Sequence, residues 1–262
     1  MDHNYWHKQA ADKPLFPDLL WSRPEHTAQA GKLGIVGGNA HGFSAAAEAY
    51  MQADKAGIGT ARVLLPDSLQ KTVGRIFEAG EYAPSTPSGS FSQSALAEFL
   101  DLSGWAEAVL MAGDFGHNSE TAIVLEQFIS KYSGQLTLVG DAVDYFMSKP
   151  QTLLARPNTL LVVDLTQLQK LAVSDHFPQA FTSTIDFLQL VERLHAFNQQ
   201  FIANIIVTQL DNLLVSVGGQ VSSTKATSDE SLVKIATHAS VWWLQNPTKG
   251  FEALTSSLLP TL

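Results

Sequence analysis

Four stretches of the chain carry glycine or acid of the kind that cradles a ligand or moves a proton. In Gly37-Gly38-Asn39-Ala40-His41-Gly42, glycines let the backbone approach a ligand, and a helix beginning just after would aim unpaired N–H groups at an anion. A tight strand-to-helix turn explains the same residues equally well. Asp114, in Ala112-Gly113-Asp114-Phe115-Gly116-His117-Asn118, could hold a cation or cap its turn, and the local pattern favours the cap. Asp141, in Gly140-Asp141-Ala142-Val143-Asp144, could bind a ribose hydroxyl or a metal-bound water, or cap the following helix. In Lys225-Ala226-Thr227-Ser228-Asp229-Glu230, Thr227 and Ser228 could donate to phosphate and Asp229 could act as a general base. Spacing alone favours Ser228 or Asp229 as a helix cap there. His195 and His238 stand on expected helices without a second ligand at metal spacing, and no metal site is expected. The chain carries no zinc motif, nucleophile elbow, Walker loop or three-glycine dinucleotide fingerprint.

These loops need strands before them and helices after them. Hydrophobic periodicity predicts strands at Lys32–Gly37, Thr60–Leu65, Ala106–Ala112, Leu136–Val139, Leu160–Val163, Asn204–Val207, Asn212–Val217 and Gln220–Ser223. Helices are expected at Phe43–Ala56, Asp67–Phe77, Gln93–Leu102, Ser119–Lys131, Thr166–Val173, Ser183–Phe201 and Glu230–Gln245, with one more after Pro247. Gly218-Gly219 suits a tight hairpin turn, where both residues need positive φ. Such alternation implies βαβ units, a mainly parallel sheet with helices on both faces, and an antiparallel edge hairpin. Residues 1–31 read as an N-terminal arm with a short helix near Asp18–Trp21, and residues 1–262 as a single domain.

Composition narrows the function. Of 262 residues, 45% are hydrophobic, enough for a large core, and 16% are charged. That charge content is below the roughly 25% of an average soluble domain and suggests much buried surface, including a subunit interface. A formal net charge of −9 without a basic cluster argues against a nucleic-acid partner. No cysteine is present, so disulfides and thiolate metal sites are excluded. No long apolar run predicts a membrane span and the N-terminus lacks a signal-peptide core, so a cytoplasmic protein is expected.

The stretch from Gly31 through Gly37-Gly38-Asn39 and His41-Gly42-Phe43-Ser44-Ala45-Ala46 to Ala56-Gly57-Ile58-Gly59-Thr60-Ala61-Arg62-Val63 resembles the opening of ADP/ATP-dependent NAD(P)H-hydrate dehydratases. Arg23-Pro24 with His26 resembles the lead-in of that family. Ala112 to Asn118 is similar to its Gly-Pro-Gly-Leu-Gly-Arg-Asn loop, Asp141-Ala142 to the start of its Asp-Ala-Asp-Ala-Leu, and Asp229 to the Asp of its Gly-Thr-Gly-Asp. The resemblance implies a ribokinase-like three-layer α/β sandwich. It also implies a nucleotide, ADP or ATP with Mg2+, near Ala226, Thr227, Ser228, Gly113 and Gly116. Asp229 would be the catalytic acid/base, and NAD(P)H-hydrate would lie against Gly38, Asn39, His41, Gly42 and Asp141. A homo-oligomer is expected from the family.

Departures from the family pattern accompany these matches. Gly-Thr-Gly-Asp becomes Ala226-Thr227-Ser228-Asp229, and Pro-His-Pro-Gly-Glu maps onto Val163-Asp164-Leu165-Thr166-Gln167 without a match. The phosphate-facing Lys of Lys-Gly-Ala is missing near Thr208-Gln209-Leu210, and Gly-Pro-Gly becomes Ala112-Gly113-Asp114. Losing one charged contact and two glycines weakens nucleotide binding by about 3–6 kcal/mol, on the order of 10²–10⁴ in affinity. The expectation is a divergent dehydratase-like protein with weakened or lost catalysis and a residual small-molecule pocket. The alternatives are an active nicotinamide-nucleotide repair lyase and, third, a small-molecule kinase of the same superfamily.

Overall fold

The computed structural model describes residues 3–21, 23–24, 26–75, 77–226 and 231–259. Its strands are β1 (Trp6–Gln9), β2 (Lys32–Gly37), β3 (Thr60–Pro66), β4 (Gly80–Ala83), β5 (Ala108–Gly113), β6 (Gln135–Val139), β7 (Thr159–Asp164), β8 (Asn204–Gln209), β9 (Asn212–Val217) and β10 (Gln220–Lys225). They form one sheet in the order β1-β10-β9-β8-β7-β6-β5-β2-β3-β4. Among the described strands, only the pairings of β9 with β8 and β10 are antiparallel. The β9–β10 turn is Gly218-Gly219 with φ of 55° and 84°, the geometry that selects glycine in a two-residue hairpin. Beyond that hairpin the N-terminal arm contributes β1, which pairs in parallel with β10.

Helices cover both faces. On one side lie α2 (Ser44–Lys55), α10 (Leu232–Gln245) and α11 (Gly250–Ser256), packed on Leu33, Ile35, Leu110, Val162 and Ile206. Ala46, Ala49 and Ala53 form the buried stripe of α2, and these small side chains let the helix lie close to the sheet. On the other side lie α4 (Leu96–Trp105), α5 (Ser119–Lys131), α8 (Leu165–Ser174) and α9 (Phe187–Gln200), packed on Val109, Met111, Leu138 and Val163. Short helices α1 (Pro17–Trp21), α3 (Gln70–Val73), α6 (Asp141–Asp144) and α7 (Gln151–Leu154) complete the chain. Adjacent strand residues serve opposite faces, as Val109 and Leu110 do, so β5 is apolar throughout, as a parallel strand buried on both sides must be.

Several expected elements differ in extent. The helix expected over 67–77 is a 3-10 turn at Asp67–Leu69 followed by the short α3. Strand β4 and the helical turns α6 and α7 are additions to the expected elements. From β2 the chain builds outward through β3 and β4, then returns to add β5, β6, β7 and β8 on the other side of β2. The direction of winding therefore reverses between β2 and β5, and at such a switch point the loops leaving the strand ends splay apart to form a crevice.

Candidate functional site

Three of the four singled-out loops meet at this switch point. At the end of β2 the pairing with β5 shifts register, and a Cβ on Gly37 would stand 2.5 Å from the Gly113 carbonyl oxygen, so only glycine fits. Gly38 N donates to Gly113 O at 3.0 Å, tying the first loop to the second. Asn39 and Gly42 exchange backbone hydrogen bonds at 2.9 and 3.1 Å, and Asn39 Oδ1 accepts from His41 N at 2.8 Å. Asn39 Nδ2 donates to the Asp114 carbonyl at 2.6 Å. Asn39 is thus spent on shaping the loops, while the His41 side chain is exposed.

Asp114 governs the centre of the site. Its backbone is left-handed, with φ of 60°, which aspartate tolerates better than most residues. Its Oδ2 accepts from Ala45 N at 2.8 Å and from Ser44 Oγ at 3.1 Å. The residue before α2 is Phe43, which supplies no side-chain cap. A carboxylate from the β5 loop therefore caps a helix some 70 residues earlier in the chain. Asp114 is a cap, as its local pattern suggested, but for α2 and not for its own turn. The helix end that would otherwise attract a phosphate is filled by a fixed negative charge.

Asp141 comes from the loop after β6. It is the first residue of α6, with Gly140 ahead of it, and does not cap that turn. Its Oδ2 accepts from Gly116 N at 3.2 Å, while Oδ1 is buried with no partner among the described residues. Burial pushes this carboxyl above the usual range, and the Asp114 and Asp144 carboxylates push the same way. The Gly116 amide opposes the shift, as does the Phe115 amide, although the latter lies outside hydrogen-bond geometry. Asp141 lines a cleft of about 300 Å³ with His117, Asn118, Ser119, Asp144 and Tyr145. Tyr145 donates to the Gly116 carbonyl and accepts from Asn118 N at 3.2 Å. Asn118 Oδ1 caps α5 through Glu120 N at 2.8 Å, and its Nδ2 donates to Ser88 Oγ at 2.9 Å. The arrangement can hold a hydroxyl-bearing ligand and give or take a proton at Asp141.

Sequence reasoning missed Ser44, Tyr145 and the 84–91 loop, whose Gly89 carbonyl accepts from Ala40 N at 2.9 Å. The Ser, Thr and Gly content of that loop was its only signal.

Of the fourth loop, only Lys225 and Ala226 lie among the described residues. Ala226 N donates to Asp211 O at 2.8 Å at the end of β10, and β9, β8 and β7 separate β10 from β6. Thr227, Ser228 and Asp229 lie outside the described residues. Beyond them Ser231, not Ser228 or Asp229, caps α10: its Oγ accepts from Lys234 N at 3.2 Å and donates to Glu48 Oε2 of α2 at 2.7 Å. Among the described residues no three His, Asp or Glu side chains are grouped to hold a metal, and no helix is long and apolar enough to cross a membrane. His238 and His195 are structural: His238 is buried between α10 and the residues after α11, and His195 stacks on Tyr5 of the N-terminal arm at 3.7 Å.

No protein-family model matches the sequence, and no curated protein matches it significantly. Solved structures do match. A ribokinase-like superfamily protein from Enterococcus faecalis V583 superposes with a TM-score of 0.74 at 12% identity, over 98% of this chain and 86% of that one. An ADP/ATP-dependent NAD(P)H-hydrate dehydratase from Bacillus subtilis, co-crystallized with ATP/Mg2+, gives 0.64 at 10% identity, over 93% and 85%. A Bacillus subtilis pyridoxal kinase in complex with ADP gives 0.55 at 7% identity, over 87% and 88%. At these identities the likeness is one of fold: the chain has the ribokinase-like fold, shared by the hydrate dehydratase among its structural neighbours.

Proposed function

We propose that this chain is a divergent NAD(P)H-hydrate dehydratase-like protein with a small-molecule cleft at the β2–β5–β6 switch point, weakened nucleotide binding, and reduced or lost catalysis. The observation that carries this reading is the Asp114 carboxylate bonded to the start of α2. A phosphate there would have to displace a charged cap with the Asp141 carboxyl close by. The residues at α2 therefore do not fit a nucleotide phosphate. Any retained phosphate contact falls to the segment from Ala226 to Asp229, where both family glycines are replaced.

A second reading, an active ADP- or ATP-dependent dehydratase, draws support from Asp141, a half-buried carboxyl held above its usual range on the wall of a cleft. Such a group holds a proton more readily than a free carboxylate, and dehydration requires one to reach the departing hydroxyl.

Thermal unfolding with millimolar ADP, ATP, NADH and NADPH, each with magnesium, separates the readings, because binding to the native state raises stability by RT ln(1 + [L]/Kd). The divergent reading expects no clear shift with ADP or ATP. It also expects no nucleotide-dependent recovery of reduced nicotinamide from NADH-hydrate. Nucleotide-dependent turnover that vanishes in Asp229→Ala, with folding intact, would replace it with the active reading.

A further inference from the structure

A second cavity lies at the other end of the sheet. The N-terminal strand β1 places Trp6 and Lys8 on one face, two residues apart, opposite Val221 and Ser223 of β10. Val221 belongs to the core face covered by α9, so the cavity opens on that side. It encloses about 360 Å³ between Trp6, Lys8, Phe187, Asn212, Ser223 and Lys225.

Its walls have a definite chemistry. Trp6 and Phe187 stand with ring centroids 5.6 Å apart and planes at 55°, forming an aromatic corner. The Trp6 indole donates to Ser223 Oγ at 3.0 Å, which fixes the ring and leaves the proton of that buried hydroxyl available to a ligand. Lys8 Nζ rests 4.2 Å from the Trp6 ring centroid, a weak cation–π contact that an anion can draw away. Lys225, with its side chain 81% exposed, is 3.4 Å from Asp211. Lys8 and Lys225 bring two cations to this groove on a chain of formal net charge −9, with Asp211 beside Lys225 and Asp186 next in sequence to Phe187. A cavity near the small end of the ligand-pocket range, of about 300 Å³ upward, suits one ring and one charged group.

We propose that this groove binds a small planar aromatic anion, with the ring against Trp6 and Phe187 and the acid between Lys8 and Lys225. The same chemistry is offered by an aromatic carboxylate and by a nucleoside monophosphate. The site is separate from the switch-point cleft and does not depend on the function proposed for it.

Calorimetric titration of the full chain with benzoate, AMP and inorganic phosphate tests this. Contacts from so few atoms give a Kd on the order of 1 mM for benzoate or AMP, with phosphate alone at least about tenfold weaker. Lys8→Gln with Lys225→Gln lowers affinity about tenfold or more and leaves unliganded stability unchanged, since both lysines are exposed. Benzoate binding identifies a carboxylate site, and binding of AMP alone identifies a nucleotide site. No binding of either up to about 10 mM, phosphate binding as tight as AMP, or affinity untouched by the double lysine variant would each overturn the proposal.

Discussion

Two helices, α2 and α10, begin close to one another and are finished in opposite ways. The start of α2 is closed by a carboxylate from a distant loop, Asp114, because Phe43 offers no cap of its own. The start of α10 is closed by its own hydroxyl, Ser231, which is held in turn by Glu48 of α2, and Glu48 lies 3.6 Å from Lys234. A helix start carries roughly half a positive charge, which a carboxylate largely cancels and a hydroxyl does not. At α2 the carboxylate accepts directly from the helix amide, whereas at α10 the carboxylate, Glu48, reaches only the cap hydroxyl and lies beside Lys234.

The comparison is tested most strongly through the body of α10, because that helix must stay docked for its N-terminus to be positioned. Trp242 Nε1 can only donate, and it donates to His238 Nε2 at 2.9 Å. His238 is therefore the neutral tautomer with its proton on Nδ1, facing Ser257 O at 2.7 Å. Burial lowers its pKa to about 4, with the charge of Arg23 acting the same way and the Ser257 bond opposing. The folded state binds a proton less readily than the unfolded chain, so the contribution is intact above the ordinary value of 6.5. It is lost as pH falls from there through 4. The full loss is on the order of 3 kcal/mol. Urea unfolding at stepped pH should show stability falling below pH 6.5, and His238→Gln should flatten that slope. An unchanged slope in the variant would remove His238 as the anchor of α10.

A smaller effect is expected at α2. Asp114→Ala removes both cap bonds and places alanine at a φ of 60°, costing about 1–2 kcal/mol. Asp114→Gly removes the cap but relieves the backbone, so it should be the milder variant, and it should also uncover the α2 end for inorganic phosphate. Thermal unfolding with and without phosphate measures both effects. Equal phosphate response in wild type and Asp114→Gly would mean that the carboxylate does not guard this position.

The elements were legible where local pattern and tertiary role agree. Helix α5 spans Ser119–Lys131 and β9 spans Asn212–Val217, both as periodicity predicts, because one carries a clean amphipathic stripe and the other an apolar run between turns. Strand β1 was not legible: Trp-His-Lys-Gln is a weak strand sequence in a proline-flanked arm, and it is ordered by pairing with β10 at the far end of the chain. The candidate site divides in the same way. Its glycine loops follow strands and could be located from sequence, whereas the act of Asp114 is a contact across about 70 residues. Nothing near Phe43 in the sequence signals that its helix borrows a cap.

The smallest effect concerns the turn from β8 to β9, beside the chain that leads toward α10. Gln209 pairs with Asn212, so Leu210-Asp211 is a two-residue turn, and Asp211 O receives the Ala226 amide. Leu210 is 94% exposed and holds a φ of 53°. A left-handed leucine is strained by roughly 1–2 kcal/mol, and here no burial offsets the strain. Replacing it with glycine relieves that strain but adds freedom to the unfolded chain, which returns about 0.5–1 kcal/mol. Leu210→Gly should therefore raise stability by a few tenths to about 1 kcal/mol in urea unfolding. If stability falls instead, the leucine side chain contributes to the folded state despite its exposure. If stability rises while any ADP-induced stabilisation shrinks, the strain is retained because Leu210 serves the α10 side of the site, and the contrast between the two helix ends gains a residue that acts at only one of them.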